Sequence, residues 1–159
     1  MKTELRLPPS QDVSFVYLFS TKLARERKAL GIELRDLLAG MYLLSLERLG
    51  RYWDQWEHFE DFVTFECSLS QPRFFYWFEL WESLRDSKGS MEGLASFTSE
   101  TSTIIGEANK LAHGQGCDET RIEHLLAALA ASKVDLCQRL VASGMNVDLV
   151  RSSLQKIRK

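Results

Sequence analysis

Metal binding is the first chemistry to consider in this sequence, because two histidines and a cysteine occur close together in one stretch. His113, Cys117 and His124 could each donate a ligand atom. A structural zinc site needs four such ligands, and no fourth candidate stands at a suitable spacing. The glycine-containing loop 114–116 also places His113 and Cys117 off a common helix face. We therefore expect no metal here.

His124 follows Glu123 on a predicted helix and has two interpretations. In the first, its imidazole is a general base, the commonest role of histidine in catalysis. In the second, it hydrogen-bonds a neighbouring loop or helix terminus and fixes their packing. The two residues alone do not decide between these interpretations.

Acidic side chains are concentrated on one helical stretch, at Glu57, Glu60, Asp61 and Glu66. A di-iron bundle would need inward-facing Glu-x-x-His motifs on two helices, and the chain has none. Carboxylates at helical spacing without such a motif are typical of a solvated face. We expect that outcome here.

Two sequence motifs of catalysis are absent from the printed chain. It has no Gly-x-Ser-x-Gly turn to present a nucleophilic serine, although a dispersed Ser-His-Asp triad would leave no such signature. It also has no Gly-x-x-x-x-Gly-Lys-Ser/Thr loop to cradle a nucleotide. We therefore expect this chain to be non-catalytic and to carry no cofactor.

The most distinctive stretch is a run of aromatic residues on a predicted helix over 73–85, between the two halves of the chain. Its members are Phe74, Phe75, Tyr76, Trp77, Phe78 and Trp81. A helix with aromatic side chains on every side cannot bury all of them against one small domain. In one interpretation, Phe75 and Tyr76 lie against the helix of Trp53 and Trp56 while the other four cover the core. In the other, part of the run stays exposed as a docking or self-association surface, and these six are our candidate partner-binding residues. Base stacking is opposed by the acidic flanks Glu79, Glu82 and Asp86.

Composition narrows the class of protein further. The chain has a formal net charge of −2, which does not favour nucleic acid as a partner. It has no apolar run long enough for a membrane span or signal peptide. Its three cysteines, Cys67, Cys117 and Cys137, have no metal-type spacing, so we expect buried, reduced thiols in a cytoplasmic protein.

Helix is the only regular structure that the sequence predicts. Apolar residues recur at helical spacing, prolines are confined to Pro8, Pro9 and Pro72, and no alternating run indicates a strand. The stretch Ser10-Gln11-Asp12 offers caps for the first helix, Thr120 can cap the helix that follows it, and Asn146 or Asp148 caps the last. The predicted helices cover residues 13–30, 34–49, 53–67, 73–85, 97–113, 121–131, 133–143 and 147–157.

An internal repeat organises these helices, because a shift of 88 residues overlays the chain on itself without a gap. The shift pairs the triplet 22–24 with 110–112, the triplet 37–39 with 125–127, and Arg51 with Arg139. One such unit cannot bury its apolar face alone, whereas two packed together can form one core. We therefore expect an all-α fold of two pseudo-symmetric repeats packed as one bundle, with an extra aromatic helix between them.

The second repeat carries a family resemblance. Its centre is the string Ile122-Glu123-His124-Leu125-Leu126. The residues that belong to the same pattern before and after it are Phe97-Thr98, Ile104-Ile105, Ala108, Leu111-Ala112, Gly116, Ala128-Leu129, Leu140, Gly144 and Leu149. This pattern resembles the repeat of the Clp amino-terminal domain, the helical cap in front of Clp AAA+ unfoldase rings. The first repeat is degenerate, with Arg35-Asp36 where the second has Glu123-His124.

The resemblance implies one Clp-N-like domain over 1–159, with repeats at 13–67 and 97–157 and an aromatic insert and linker at 68–96. It also favours the packing role for His124. In the family, this domain receives substrates or adaptor proteins for the ring, so we expect a protein-binding module that works with a ring in cis or in trans. The altered first repeat suggests a dedicated partner, such as a type VI secretion sheath. The alternatives are a stand-alone Clp accessory protein, a small helical enzyme or ligand-binding bundle, and a purely structural dimer.

Overall fold

The chain folds into a bundle of α-helices, as the sequence predicts. The structure, a computed structural model, describes residues 7–44, 46–67 and 96–157, leaving aside the side chains of residues 46 and 47. Three isolated bridges join the two halves, and no strand forms in these ranges. The helices are α1 Gln11–Glu26, α2 Leu34–Leu44, α3 Leu46–Leu49, α4 Trp56–Glu66, α5 Ser99–Gly114, α6 Ile122–Ala131, α7 Asp135–Ala142 and α8 Val147–Ile157.

Side-chain caps set several of the helix starts. The Ser10 hydroxyl accepts the Val13 N–H at 3.3 Å, and the Asn146 amide oxygen accepts the Leu149 N–H at 3.0 Å, as predicted. Thr120 was expected to cap α6, and this prediction is wrong. Its hydroxyl bonds Asn109 Oδ1 instead, while His124 takes the capping role from inside the helix.

The two halves are related by an approximate two-fold exchange. Four backbone hydrogen bonds connect loops of the two halves, and the 88-residue shift relates them in two pairs. In the first pair, Ser10 N–H donates to Thr120 O (2.8 Å) and Thr98 N–H donates to Ile32 O (3.0 Å). In the second pair, Thr120 N–H donates to Pro8 O (2.9 Å) and Ile32 N–H donates to Ser96 O (2.7 Å), so equivalent residues of the two halves make the same bond. The symmetry predicted from the sequence is present in the backbone of this part of the fold.

The gapless overlay of the sequence fails after the second helix of each repeat. Beyond that point, Asp54 N–H donates to Gly144 O at 2.9 Å and Asn146 N–H donates to Tyr52 O at 2.7 Å. These two bonds are equivalent only if residues of the two halves are paired at a shift of 92 instead of 88. The cause lies in the third helix, which has 4 residues in α3 and 8 in α7. The pairing of Arg51 with Arg139 is therefore wrong.

The fourth helix starts later than the sequence predicts. Trp53 was placed at its beginning, but the backbone of Trp53 forms an antiparallel bridge with Met145 and has extended dihedral angles. A residue held in that bridge cannot also start a helix, so α4 begins at Trp56. The Trp53 indole stacks on Phe59 at 4.2 Å between ring centroids, and its N–H donates to Ser143 Oγ at 3.0 Å.

A single hydrophobic core joins both halves. The leucine pairs of the repeat, Leu37 with Leu38 and Leu125 with Leu126, are all fully buried within it, as predicted. The three cysteines are also buried free thiols. None of the helices in the described ranges is both long and apolar enough to cross a membrane.

Candidate functional site

An open groove with a volume of about 580 Å³ lies where the first half meets the second. Its walls come from the loop after α1, the first turns of α2 and α5, and the facing ends of α4 and α7. Leu30 and the partly exposed Leu136 supply apolar surface above the buried Leu34, and Glu33, Glu66 and Glu100 supply carboxylates. The groove therefore combines apolar and ionised groups.

Leu30 is the exceptional residue of this groove, because its side chain is fully exposed (103%). The sequence placed it at the end of α1, but the helix ends at Glu26, and Lys28 adopts a left-handed conformation with φ 59°. The Ala29 N–H then bonds Ala24 O at 2.9 Å and the Lys28 N–H bonds Arg25 O at 3.0 Å. This Schellman motif turns the chain so that Leu30 projects into solvent.

The second half shows that the fold does not require an apolar residue at this place. There the same motif has Gly116 at φ 73°, and the residue corresponding to Leu30 is Asp118. A polar side chain thus occupies the equivalent loop position. The exposure of Leu30 is a property of the first repeat and not of the architecture.

Arg27 is held beneath the groove by two carboxylates. Its Nε donates to Asp36 Oδ1 at 3.0 Å, and its Nη2 approaches Asp36 Oδ2 at 2.5 Å and Glu33 Oε2 at 3.0 Å. The Asp36 side chain is only 4% exposed. The hydrogen bond to Asp36 is the largest cause of the raised pKa of Arg27. Its positive charge is therefore largely balanced within the protein.

The remaining carboxylates give the groove an acidic edge. Glu66 accepts a hydrogen bond from Arg139 at 2.7 Å, and Arg35 lies 3.7 Å from Glu33. Glu100 is exposed in the first turn of α5 and has no ion pair among the residues that the structure describes. Three carboxylates and two guanidinium groups line the groove, and Arg27 is further neutralised from below by Asp36.

The six aromatic residues predicted to bind a partner cannot be placed relative to this groove. Phe74, Phe75, Tyr76, Trp77, Phe78 and Trp81 lie outside the described residues. Their assignment as a docking surface stays a prediction from the sequence.

His124 has the geometry of a residue that fixes packing. It is fully buried, its Nδ1 accepts the Arg121 N–H at 3.0 Å, and its Nε2 lies 2.8 Å from Gln115 Oε1. Since Nδ1 is an acceptor, Nε2 carries the proton and donates to Gln115. Burial lowers the pKa of His124, which keeps the imidazole neutral. The imidazole therefore links the α6 terminus to the loop after α5.

The predicted metal candidates are only partly brought together. Cys117 Sγ lies 3.9 Å from His124 Nε2, while His113 is exposed at the end of α5. Throughout ranges 7–44, 46–67 and 96–157, no three histidine, cysteine or carboxylate groups converge as a metal site would require.

The carboxylates of α4 form a solvated face only in part. Glu57, Asp61 and Glu66 are exposed, as predicted, and Glu66 pairs with Arg139 at the surface. Glu60 is instead half-buried and accepts a hydrogen bond from the half-buried Tyr42 hydroxyl. Burial, followed by the bond to Glu60, raises the pKa of Tyr42. The two partnered carboxylates bind α4 to its neighbours.

Sequence reasoning missed Leu30 and Glu100 as groove residues. The 88-residue shift contained a usable signal, since it pairs Lys28 with Gly116 and Leu30 with Asp118. A glycine opposite a lysine marks a turn rather than a helix interior. That comparison would have ended α1 early and exposed Leu30.

No protein-family model matches the chain, and no curated protein is significantly similar to it in sequence. A function for the chain therefore rests on the groove and on the two related halves.

Proposed function

We propose that this chain is a non-catalytic module that docks substrate or adaptor proteins for a Clp-type AAA+ unfoldase or disaggregase. The observation that carries the proposal is the fully exposed Leu30 beside an open groove between two related halves. An exposed apolar group next to a concave surface is a common feature of protein-binding sites. The resemblance of the second repeat to the Clp amino-terminal domain supplies the class of partner.

Burial of Leu30 by a partner would contribute measurably to the free energy of binding. Covering a leucine side chain contributes about 1.5–3 kcal/mol, and each 1.4 kcal/mol changes affinity about tenfold. Leu136, which is partly exposed, offers further apolar surface beside Leu30. An extended segment or an amphipathic helix of a partner would bury this surface with its own apolar side chains.

The cellular setting in this proposal is the cytoplasm. Cys67, Cys117 and Cys137 are all free thiols in the structure, which suits a reducing compartment. A ring that acts on the docked protein would be supplied in cis or in trans. A dedicated assembly, such as a type VI secretion sheath, remains a specialised form of the same proposal.

Binding to a permanently unfolded protein tests the docking role. We expect the chain to bind reduced, carboxymethylated α-lactalbumin in biolayer interferometry and not to bind the native protein. Leu30→Asp should weaken this binding about tenfold, because it removes one apolar anchor. Asp118→Asn, at the equivalent loop position of the second half, is the matched control and should leave binding unchanged.

Coupling to a ring is tested separately. Fusing the chain to a Clp-type ring whose own amino-terminal domain has been deleted should raise the unfolding rate of a fluorescent substrate. The Leu30→Asp fusion should lose that gain. Binding without any gain in unfolding would retain the docking module and exclude its role for such a ring.

A further inference from the structure

We propose that the groove selects polypeptide segments in which an apolar side chain is flanked by lysine or arginine. This inference rests on the proposed docking function and specifies the chemistry of the docked segment. It follows from three features of the groove: its apolar surface, the Glu100 carboxylate, which has no ion pair within the described residues, and the ion pairs that Arg27 already makes.

The apolar requirement comes from the first half. Leu30 is fully exposed, and Leu34 and Leu136 line the same groove. In the second half, the residue corresponding to Leu30 is Asp118. An apolar anchor on the partner would therefore gain more at the first-half loop than at its counterpart.

The basic requirement comes from Glu100. This residue is exposed, lines the groove, and has no ion pair within the described part of the chain. It lies in the first turn of α5, beside the loop that carries Leu30. A lysine or arginine that follows the partner's apolar anchor would meet this charge.

Arg27 does not offer an equivalent site for acidic segments. It is committed to Asp36 and Glu33, with its Nε and Nη2 atoms already in charge-assisted hydrogen bonds. Arg35 lies 3.7 Å from the same Glu33 carboxylate, beyond hydrogen-bond distance, and its Nε is buried. An acidic partner would compete with the pairs of Arg27, whereas a basic one adds a new pair at Glu100.

The equivalent surface at the second-half loop lacks this combination of groups. Under the 88-residue shift, Leu30 corresponds to Asp118 and Glu100 corresponds to Asp12, so that surface keeps the carboxylate and loses the apolar group. Asp12 also lies 3.7 Å from Arg48, whereas Glu100 has no ion pair within the described residues.

Fluorescence anisotropy with four labelled 12-residue peptides tests the inference on the full chain. Three peptides carry a central Phe-Leu pair flanked on both sides by Lys-Lys, Glu-Glu or Ser-Ser, and the fourth keeps the lysines but has Ser-Ser at its centre. We expect the lysine-flanked Phe-Leu peptide to bind about fivefold more tightly than the glutamate-flanked one at low salt, with the preference shrinking as salt is added.

Two variants locate the preference. Glu100→Lys should abolish the advantage of the lysine-flanked peptide, and Leu30→Ser, which removes the apolar group without adding charge, should weaken all three Phe-Leu peptides. Glu57→Lys is the matched control, because Glu57 is also exposed in the first turn of a helix, α4, but does not line the groove. It should keep the wild-type preference.

The outcomes separate this inference from the proposed function. Equal binding of the three Phe-Leu peptides would overturn the charge selection and leave the docking function standing. Equal binding of both lysine peptides would reduce the effect to general electrostatics and overturn the inference. No binding to any peptide or to the unfolded protein would contradict both. Concentration-dependent dimerisation that Leu30→Asp abolishes would assign the groove to a second copy of the chain.

Discussion

Asp36 in the first half and His124 in the second half do the same work at equivalent positions. Each accepts a hydrogen bond from the backbone N–H three residues earlier, Glu33 to Asp36 Oδ2 and Arg121 to His124 Nδ1, both at 3.0 Å. Each is held from the loop after the preceding helix, Asp36 by Arg27 and His124 by Gln115. The first half therefore closes this turn with an ion pair, and the second half closes it with a neutral pair.

The neutral pair predicts a loss of stability on acidification. Burial lowers the pKa of His124 in the folded state, so the unfolded state binds more protons as the pH falls below about 6.5. The contribution of His124 is complete above that pH and is lost below it. Urea unfolding at pH 7.5 and pH 5.5 should show the lower free energy of unfolding at pH 5.5.

A matched pair of variants assigns this effect to one residue. His124→Asn keeps an acceptor for the Arg121 N–H and removes the titration, so its unfolding free energy should change less between the two pH values. His113→Asn alters an exposed histidine and should retain the wild-type dependence. Indistinguishable pH profiles for wild type and His124→Asn would refute the assignment.

The ion pair of the first half predicts a large cost when one partner is removed. Arg27→Met leaves the nearly buried Asp36 carboxylate without its cation, and we expect a loss of about 2–4 kcal/mol in the free energy of unfolding. The double variant Arg27→Met/Asp36→Asn should recover part of that loss, because an amide carries no charge. Chemical denaturation measures both, with the exposed Arg151→Met as the control within about 0.5 kcal/mol. Additive effects of the two substitutions would show that they are not coupled.

Lys28 predicts a stabilising substitution. It is the only non-glycine residue of the described ranges with positive φ, at the position where the second half has Gly116. A left-handed conformation costs an L-residue about 1–2 kcal/mol, and glycine avoids most of that cost. Lys28→Gly should therefore raise the free energy of unfolding by about 1 kcal/mol, measured by thermal and urea denaturation. Lys28→Ala removes the same side chain while keeping Cβ, and a similar gain in that variant would rule out the backbone explanation.

Helical spacing and the inward leucine pairs are local patterns, and they were sufficient to predict most of the helices in the described ranges. The Leu38 and Leu126 helices were placed correctly, and α8 was predicted with its observed limits. The end of α1 was not predictable from periodicity, because it depends on the left-handed Lys28, a residue type with no preference for that conformation.

The candidate site was harder to predict than the fold, since it depends on contacts between residues far apart in sequence. Leu30, Glu66, Glu100 and Leu136 come together only through the packing of the two halves. The extra turn of α7 relative to α3 also breaks the simple 88-residue correspondence. No local pattern reports either feature.

Two helical glycines predict opposite responses to the same substitution. Gly40 lies where α1 and α2 approach closely, and a Cβ added there would lie 2.5 Å from Ser20 Oγ and 2.8 Å from Val16 O. A Cβ added to Gly106 would meet nothing within 4 Å. Gly40→Ala should therefore destabilise the fold by about 1–3 kcal/mol. Gly106→Ala should stabilise it by about 0.5–1 kcal/mol through helix propensity. Thermal unfolding followed by circular dichroism compares the two, and equal shifts would show that the contact at Gly40 relaxes at no cost.

The aromatic run offers a test in which stability and binding give different answers. If Phe75 and Tyr76 are part of a docking surface, as the sequence predicts, Phe75→Ser/Tyr76→Ser should weaken binding to unfolded α-lactalbumin about tenfold and leave the unfolding midpoint unchanged. If these side chains cover the core instead, the midpoint should fall, because buried aromatic residues contribute about 3–5 kcal/mol. If the run mediates self-association, light scattering should give a dimer mass for the wild type and a monomer mass for Trp77→Ala. Wild-type affinity in the double serine variant would exclude Phe75 and Tyr76 from the binding surface and leave the Leu30 groove as the candidate.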